Sequence, residues 1–281
     1  MRPRSSHKGD YGRVFILAGS EGLSGACFLS SMAALRSGAG LVTVGVPKSL
    51  IPPLARRLTE AMTTPLPQTK HGTLSAKAFD PICHFLKTQD VLALGPGMSL
   101  NRQTQVLIRR VVLYSKKPMV VDADGLNAFE GQSHLFLKLK APAILTPHAG
   151  EFVRLFGKPV PKGDEERRKR ARESARKSGR IVVLKGYHTV VASPDGKIYV
   201  NKTGNPGMAT GGSGDILTGV IAAMLGQKAE PFQAACFGVF IHGLAGDLAR
   251  KEKGEISLVA GDILNALPLA FQKVLRHNKI R

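Results

Sequence analysis

The alternation of short, fully apolar runs with longer helical stretches constrains this chain more than any other feature. Arg13 to Leu17, Leu41 to Val46, Val91 to Leu94, Met119 to Asp122, Ala143 to Thr146 and Ile181 to Lys185 read as buried strands. Helical stretches such as Gly25 to Ser37, Gln103 to Ser115 and Gly163 to Ser178 lie between them. Strands apolar on both faces, alternating with helices, predict an α/β fold with a mostly parallel sheet covered on both sides. Thr189 to Ala192 and Lys197 to Asn201, joined by Ser193-Pro194-Asp195-Gly196, predict a hairpin. Asp215 to Leu225 follows as a nearly all-apolar, buried helix with Gly226 as its C-cap. Ala234 to Lys251 and Leu258 to Leu275 supply two closing helices. No internal repeat or long linker interrupts the series, so residues 1–281 read as one domain.

A chain of 281 residues buries a large core without disulfides or a structural metal. Cys27, Cys83 and Cys236 are far apart and form no Cys-x-x-Cys pair, which fits reduced thiols in a cytoplasmic protein. The first ten residues are polar, and no apolar run is read as approaching the ~20 residues that span a bilayer. Charge is unusual: 40 Lys plus Arg against 20 Asp plus Glu, a net +20. That balance admits nucleic acid, a polyanionic small molecule such as a nucleotide, or a merely basic proteome. Its most basic stretch, Pro161 to Arg180, carries Arg167, Arg168, Lys169, Arg170, Arg172, Arg176 and Lys177. Aromatic residues for base stacking are absent there, so it reads as a solvated helix face. Within it Ala171 and Ala175 suit the core, and Glu173 with Lys177 is spaced for an ion pair.

The strongest chemical signal is Asn205-Pro206-Gly207-Met208-Ala209-Thr210-Gly211-Gly212-Ser213-Gly214-Asp215, which runs straight into the apolar helix. A small-residue loop at a helix N-terminus offers unpaired N–H groups and the positive end of the helix dipole to an anion. Gly211, Gly212 and Gly214 therefore suggest a phosphate cradle. A carboxylate beside phosphate fits phosphoryl transfer, where an aspartate orients the attacking hydroxyl and accepts its proton. The dipole predicts that Asp215 stays ionised. No Gly-x4-Gly-Lys-Ser/Thr loop, Gly-x-Gly-x-x-Gly fingerprint or His-Glu-x-x-His pair is present.

These residues, 202 to 219, resemble the signature of NAD(P)H-hydrate dehydratases, which are ribokinase-like proteins related to small-molecule kinases. Other motifs follow in the family's order. They are His7-Lys8-Gly9-Asp10-Tyr11-Gly12, Gly19-Ser20, Ser24-Gly25-Ala26 and Arg36-Ser37-Gly38-Ala39-Gly40-Leu41. Leu94-Gly95-Pro96-Gly97, Asp122-Ala123-Asp124 with Asn127, Thr146-Pro147-His148-Ala149-Gly150-Glu151, Leu184-Lys185-Gly186 and His242-Gly243 complete the set. Departures are Ala18 for a usual glycine, Ser99 where glycine is common, and Gly125 for alanine.

The resemblance implies a three-layer α/β/α sandwich with a mostly parallel sheet and a small hairpin. It implies that Ala39, Gly97, His148 and Asp215 contact a hydrated dinucleotide, NADHX or NADPHX. Lys185, Gly186, Tyr187, His188 and Thr189, with Gly212, Ser213 and Gly214, would hold the nucleotide. Asp124, Asn127 and Asn205 are further candidates. Taken alone, Lys185 reads as a strand-end lysine and His148 as a histidine bonded to loop backbone; the family context reverses both. Glu151 has the spacing of the acidic residue that orients Mg²⁺-bound water in related kinases. The implied chemistry is phosphorylation of the C6 hydroxyl of the S epimer by ADP, or ATP, followed by loss of phosphate, with Asp215 as base and His148 a guess for the C5 proton. Motifs beginning at His7 leave no room for an epimerase domain, so a separate epimerase, or spontaneous epimerisation, is expected to handle the other epimer; the resemblance also implies a homo-oligomer, a homotetramer first. Rival readings are a kinase of a vitamin-precursor alcohol, of hydroxyethylthiazole or pyridoxal type, and a basic nucleic-acid binder.

Overall fold

The computed structural model describes residues 2–277. At its centre is a nine-stranded sheet in the order β3-β2-β1-β4-β5-β6-β7-β8-β9. The strands are β1 (Arg13–Leu17), β2 (Leu41–Pro47), β3 (Met62–Leu66), β4 (Val91–Leu94), β5 (Met119–Val121), β6 (Ala143–Leu145), β7 (Ile181–Leu184), β8 (Val190–Ala192) and β9 (Ile198–Val200). β1 to β7 pair in parallel, and β8 and β9 add antiparallel. The ten helices of the described residues are α1 (Ser24–Arg36), α2 (Ile51–Ala55), α3 (Phe79–Leu86), α4 (Arg102–Tyr114), α5 (Asp124–Asn127), α6 (Ala149–Phe156), α7 (Asp164–Ser178), α8 (Ser213–Gly226), α9 (Pro231–Lys253) and α10 (Ala260–His277).

Each sheet face has its own core. Phe15, Leu17, Leu92, Leu94, Val121 and Val182 point toward α3, α4, α6 and α7. Val14, Ile16, Val44, Val120, Ile144 and Val183 point toward α1, α8 and α9. This is the three-layer sandwich expected from strands apolar on both faces. α8 is apolar all round because it is covered twice. Leu217 and Ile221 meet the sheet core, while Ile216 and Val220 meet a third cluster with Ile263 and Leu267 of α10. α1 crosses α8 so closely that a Cβ on Gly219 would lie 2.1 Å from the Ser30 carbonyl oxygen.

Several sequence expectations need correction. Gly226 ends α8 instead of capping it, and Gln227 takes the C-cap. The close approach here depends on Gly12, where a Cβ would lie 2.3 Å from the Gly226 carbonyl oxygen, whereas a Cβ on Gly226 would come no nearer than 3.2 Å to Val14 Cγ2. Glu173 pairs with Arg170 at 3.7 Å, in place of Lys177. One described helix, α9, is long and apolar enough by length and composition to cross a membrane, contrary to the sequence reading; half of that stretch is buried inside the fold. Its apolarity has a packing cause, because Ala234, Ala235 and Gly238 are buried against the layer below. Ala171 and Ala175 do face the core, both 0% exposed. The hairpin forms, with Gly196 at φ 96° in its turn.

Candidate functional site

The parallel strands deliver polar side chains to their carboxyl edge, where open α/β sheets bind ligands. Asp122, one residue past β5, is 1% exposed. Its Oδ1 accepts from Lys185 Nζ at 2.7 Å and its Oδ2 from Thr218 Oγ1 at 2.8 Å. Lys185, one residue past β7, also lies 3.7 Å from Glu151 Oε2. Burial pulls its basicity down, but Asp122 and Glu151 outweigh that and hold the ammonium above its ordinary range. A Cβ on Gly214 would sit 3.3 Å from the same Nζ. Lys185 thus bridges β5, β6 and the start of α8.

α8 opens onto this cluster. Gly212 adopts φ 90° as N-cap, a conformation that glycine takes without steric cost. The N–H groups of Gly214 and Asp215 find no acceptor among the described residues. Two aligned, unpaired donors on a buried helix make an anion cradle. Ser213 Oγ reaches Nε2 of the half-buried His242 at 3.3 Å, and desolvation drives that imidazole down to about 4, so it is neutral. At the loop entrance Asn205 Nδ2 donates to Asp247 of α9 at 3.0 Å.

Asp215 does not behave as the helix dipole alone predicts. Burial raises its carboxyl to about 7, reinforced by the charges of Asp122, Glu151 and Asp124 and opposed by Lys185. Desolvation and like charge win over a dipole worth about 1 kcal/mol. A carboxyl poised there can both accept and release a proton near neutral pH.

His148 is the N-cap of α6. Its Nδ1 accepts from the N–H groups of Gly150 and Glu151 at 2.9 and 3.3 Å, while Glu151 Oε2 accepts from His148 N at 2.8 Å. Nε2 faces Glu151 Oε1 at 3.3 Å. Burial, with Lys185 and Arg154, lowers the imidazole pKa. Both ring nitrogens are engaged, so this geometry leaves no free lone pair for the C5 proton; the bland reading of His148 describes its local bonding.

Acidic groups outnumber cations in the cluster: Asp122, Glu151 and Asp215 act on Lys185, and Asp124 acts on Asp215. That excess suits a divalent cation. Glu151 has its oxygens occupied by His148 and Lys185, and the described residues contain no group of three or more ligating side chains. The donor set therefore fits a magnesium ion held through water and phosphate oxygens, not an all-protein cage.

The loops after β1 and β4 wall a cleft of about 550 Å³, lined by Ser20, Glu21, Leu23, His71, Ser99 and Asp124. Gly97, at φ 62°, lies beside this cleft, its carbonyl held by the lining residue Ser20 through Oγ at 2.8 Å. Asp124 accepts from Ser99 N at 2.7 Å and from Asn127 Nδ2 at 3.1 Å. After β7, Gly186 takes φ 139° and Thr189 Oγ1 donates to its carbonyl. Tyr187, 81% exposed, stacks on His188 at 3.9 Å. His188 Nδ1 is 2.8 Å from Asp164 of α7. Ser99, Ala123 and His188 are non-glycine residues at positive φ, and all lie in these carboxyl-edge loops.

The structure thus gathers Gly97, Asp122, His148, Glu151, Lys185 and Gly212–Asp215 at one edge. Ala39 is not among them. It precedes β2 at the amino edge, where Gly40 N bonds the Tyr11 and Gly12 carbonyls, and it is buried. Asp122, quoted within its motif but given no role, and Thr218 emerge as the cluster's buried core. Asp122 was discernible as an acid ending a fully apolar strand; Thr218, inside an apolar helix, gave no such signal.

A family model described as NAD(P)H-hydrate dehydratase matches residues 14–269. The ADP-dependent (S)-NAD(P)H-hydrate dehydratase of Bacillus subtilis is 35% identical over 97% of this chain and 93% of its own. The bifunctional NAD(P)H-hydrate repair enzyme of Moorella thermoacetica is 46% identical over 97% of this chain; the chain spans about half, 52%, of that relative. A crystal structure of the ADP/ATP-dependent NAD(P)H-hydrate dehydratase from Bacillus subtilis, co-crystallised with ATP/Mg²⁺, superposes with a TM-score of 0.83. It shares 33% identity and covers 97% of this chain and 93% of that one.

Proposed function

The chain belongs to the NAD(P)H-hydrate dehydratase family, on the ribokinase-like fold, and from that premise we propose that it dehydrates the S epimer of hydrated NADH or NADPH at the expense of a nucleotide phosphate. The single observation that carries this reading is a carboxyl poised near neutrality, Asp215, beside two unpaired N–H groups at the start of a buried helix. ADP is the donor ahead of ATP, in keeping with the name of the Bacillus subtilis relative.

Hydroxide is a poor leaving group and phosphate a good one. Asp215 accepts the C6 hydroxyl proton as that oxygen takes the terminal phosphoryl group of ADP, whose bridging P–O bond breaks to release AMP. The N–H groups of Gly214 and Asp215 hold the transferring charge. The N1 lone pair then expels phosphate, and loss of the C5 proton restores the reduced ring. Lys185 keeps Asp122 and Glu151 neutralised so that phosphate can approach. Glu151 would hold magnesium through water, and the ion would supply charge neutralisation for the phosphates. Gly97 and His148 border the substrate; Gly186 to Thr189 border the nucleotide, with Asp124, Asn127 and Asn205 fixing the loops between. Residues 1–281 act as one catalytic domain, in the cytoplasm, as a homo-oligomer alongside an epimerase.

Product analysis tests this against a small-alcohol kinase. With ADP and the hydrated S epimer, inorganic phosphate and reduced dinucleotide are the expected products. Accumulation of a stable phosphate ester would assign the chain to the kinases instead.

A further inference from the structure

The proposed nucleotide site lacks a cation for the polyphosphate it is built to hold. Lys185 is spent on Asp122 and Glu151, and the neighbouring groups Asp124 and Asp215 are acidic. One guanidinium stands beside the site without a partner. Arg167, in the first turn of α7, has its Nε and Nη2 buried with no hydrogen-bond acceptor. Its Nη2 lies 3.1 Å from where a Cβ on Gly186 would be, so the guanidinium occupies the space that this glycine leaves open. No ion pair to Arg167 forms among the described residues; Asp164, the nearest acid acting on it, is committed to His188.

Nε and Nη2 form one edge of the guanidinium fork, the edge that matches two phosphate oxygens. Leaving it buried and unpaired is costly unless a ligand completes it. Its surroundings are the turn Gly186–Thr189, with positive φ at Gly186 and His188, and a phosphate reaches the edge only when this turn moves aside. The guanidinium stands against Gly186, the residue that follows Lys185, while Lys185 Nζ itself stands against Gly214. A nucleotide with its reacting phosphate at Gly214 would therefore bring its ribose-proximal phosphate toward Arg167.

We propose that Arg167 is a phosphate-binding residue of this nucleotide site, its Nε–Nη2 edge taking the phosphate nearest the ribose. The inference rests on the nucleotide reading above and adds to it a residue on a helix face that looks merely solvated in sequence.

Calorimetric titration of the intact chain with ADP, AMP and adenosine separates the outcomes. Arg167→Gln is expected to weaken ADP and AMP by roughly 10- to 100-fold, the loss of a charge-assisted contact, and to leave adenosine unchanged. Arg167→Lys should recover part of the loss, and Arg168→Gln, one exposed residue on, should change nothing. Unchanged ADP affinity in Arg167→Gln, while the wild type binds ADP, overturns the role of Arg167 alone. So does an equal loss for ADP and adenosine, which marks a prop for the turn, or an equal effect of Arg168→Gln, which marks diffuse charge. A wild-type chain that binds no ADP overturns this proposal together with the nucleotide reading.

Discussion

Asp215 lives in conflict with its surroundings, and that conflict has measurable consequences. Its folded-state value, about 7, stands above the ordinary 3.8. Below the ordinary value the carboxyl is protonated in both folded and unfolded chains. Between the two the folded chain alone keeps the proton, so stability falls as pH rises through about 7. Asp215→Asn removes this liability. It is expected to lower turnover by roughly 10²- to 10⁴-fold, to retain ADP binding, and to raise the melting temperature most at pH above 7. A melting temperature lower than wild type there would contradict the buried charge. Asp122→Asn removes one of the charges that raise Asp215, so the limb of kcat/KM that rises with pH should move to lower pH; an unmoved limb would separate the two residues. Ser99 stands at φ 84° where relatives of this motif commonly have glycine. Ser99→Gly should stabilise the chain by about 1 kcal/mol in urea unfolding.

Among elements, α8 is the hub, since both the sheet and the outer helices pack on it and its first turn forms the anion cradle. Gly219→Ala places a methyl against the Ser30 carbonyl and Ala33. Forcing α1 and α8 apart should cost roughly 1–3 kcal/mol and weaken ADP binding, because the cradle moves with the helix. His242 of α9 sits under the same turn. Its folded value, about 4, is below the ordinary 6.5 because burial resists the charge. The stability it secures is present above the ordinary value and lost as pH falls through about 4. His242→Gln should flatten the stability–pH curve across that window; an unchanged slope would mean that the imidazole takes up its proton readily. Element placement was largely legible in sequence, because β1 and β4 match their apolar runs residue for residue and the others differ by a residue or two. β3 was missed because it is an exposed edge strand containing Pro65, where alternation and apolarity both weaken. α6 was missed because its N-cap is a histidine.

At the scale of the molecule, the motifs scattered over the sequence converge because parallel strands end at one edge. That convergence is topological; the glycine loop was legible from its own chemistry, whereas Lys185 and His148 were singled out by the family resemblance alone. What the sequence left open is electrostatic and directional. Lys185 turns inward to Asp122 in place of reaching outward, and burial overrides the helix dipole at Asp215. Ala39 lies at the opposite edge, since a motif's membership in a family pattern does not tell which end of its strand it occupies. A net charge of +20 also takes on a specific element, since Arg167 stands against Gly186 while its neighbours on α7 face solvent. The most direct test follows the reduced-nicotinamide absorbance after enzyme, Mg²⁺ and ADP are added to purified S-epimer hydrate, with Asp215→Asn as control. The account predicts an ADP-dependent rise with release of inorganic phosphate, faster as pH rises through about 7 and slowed by roughly 10²- to 10⁴-fold in the variant. A folded, ADP-binding chain that gives no rise with ADP or ATP, or a variant that matches wild type, would contradict it.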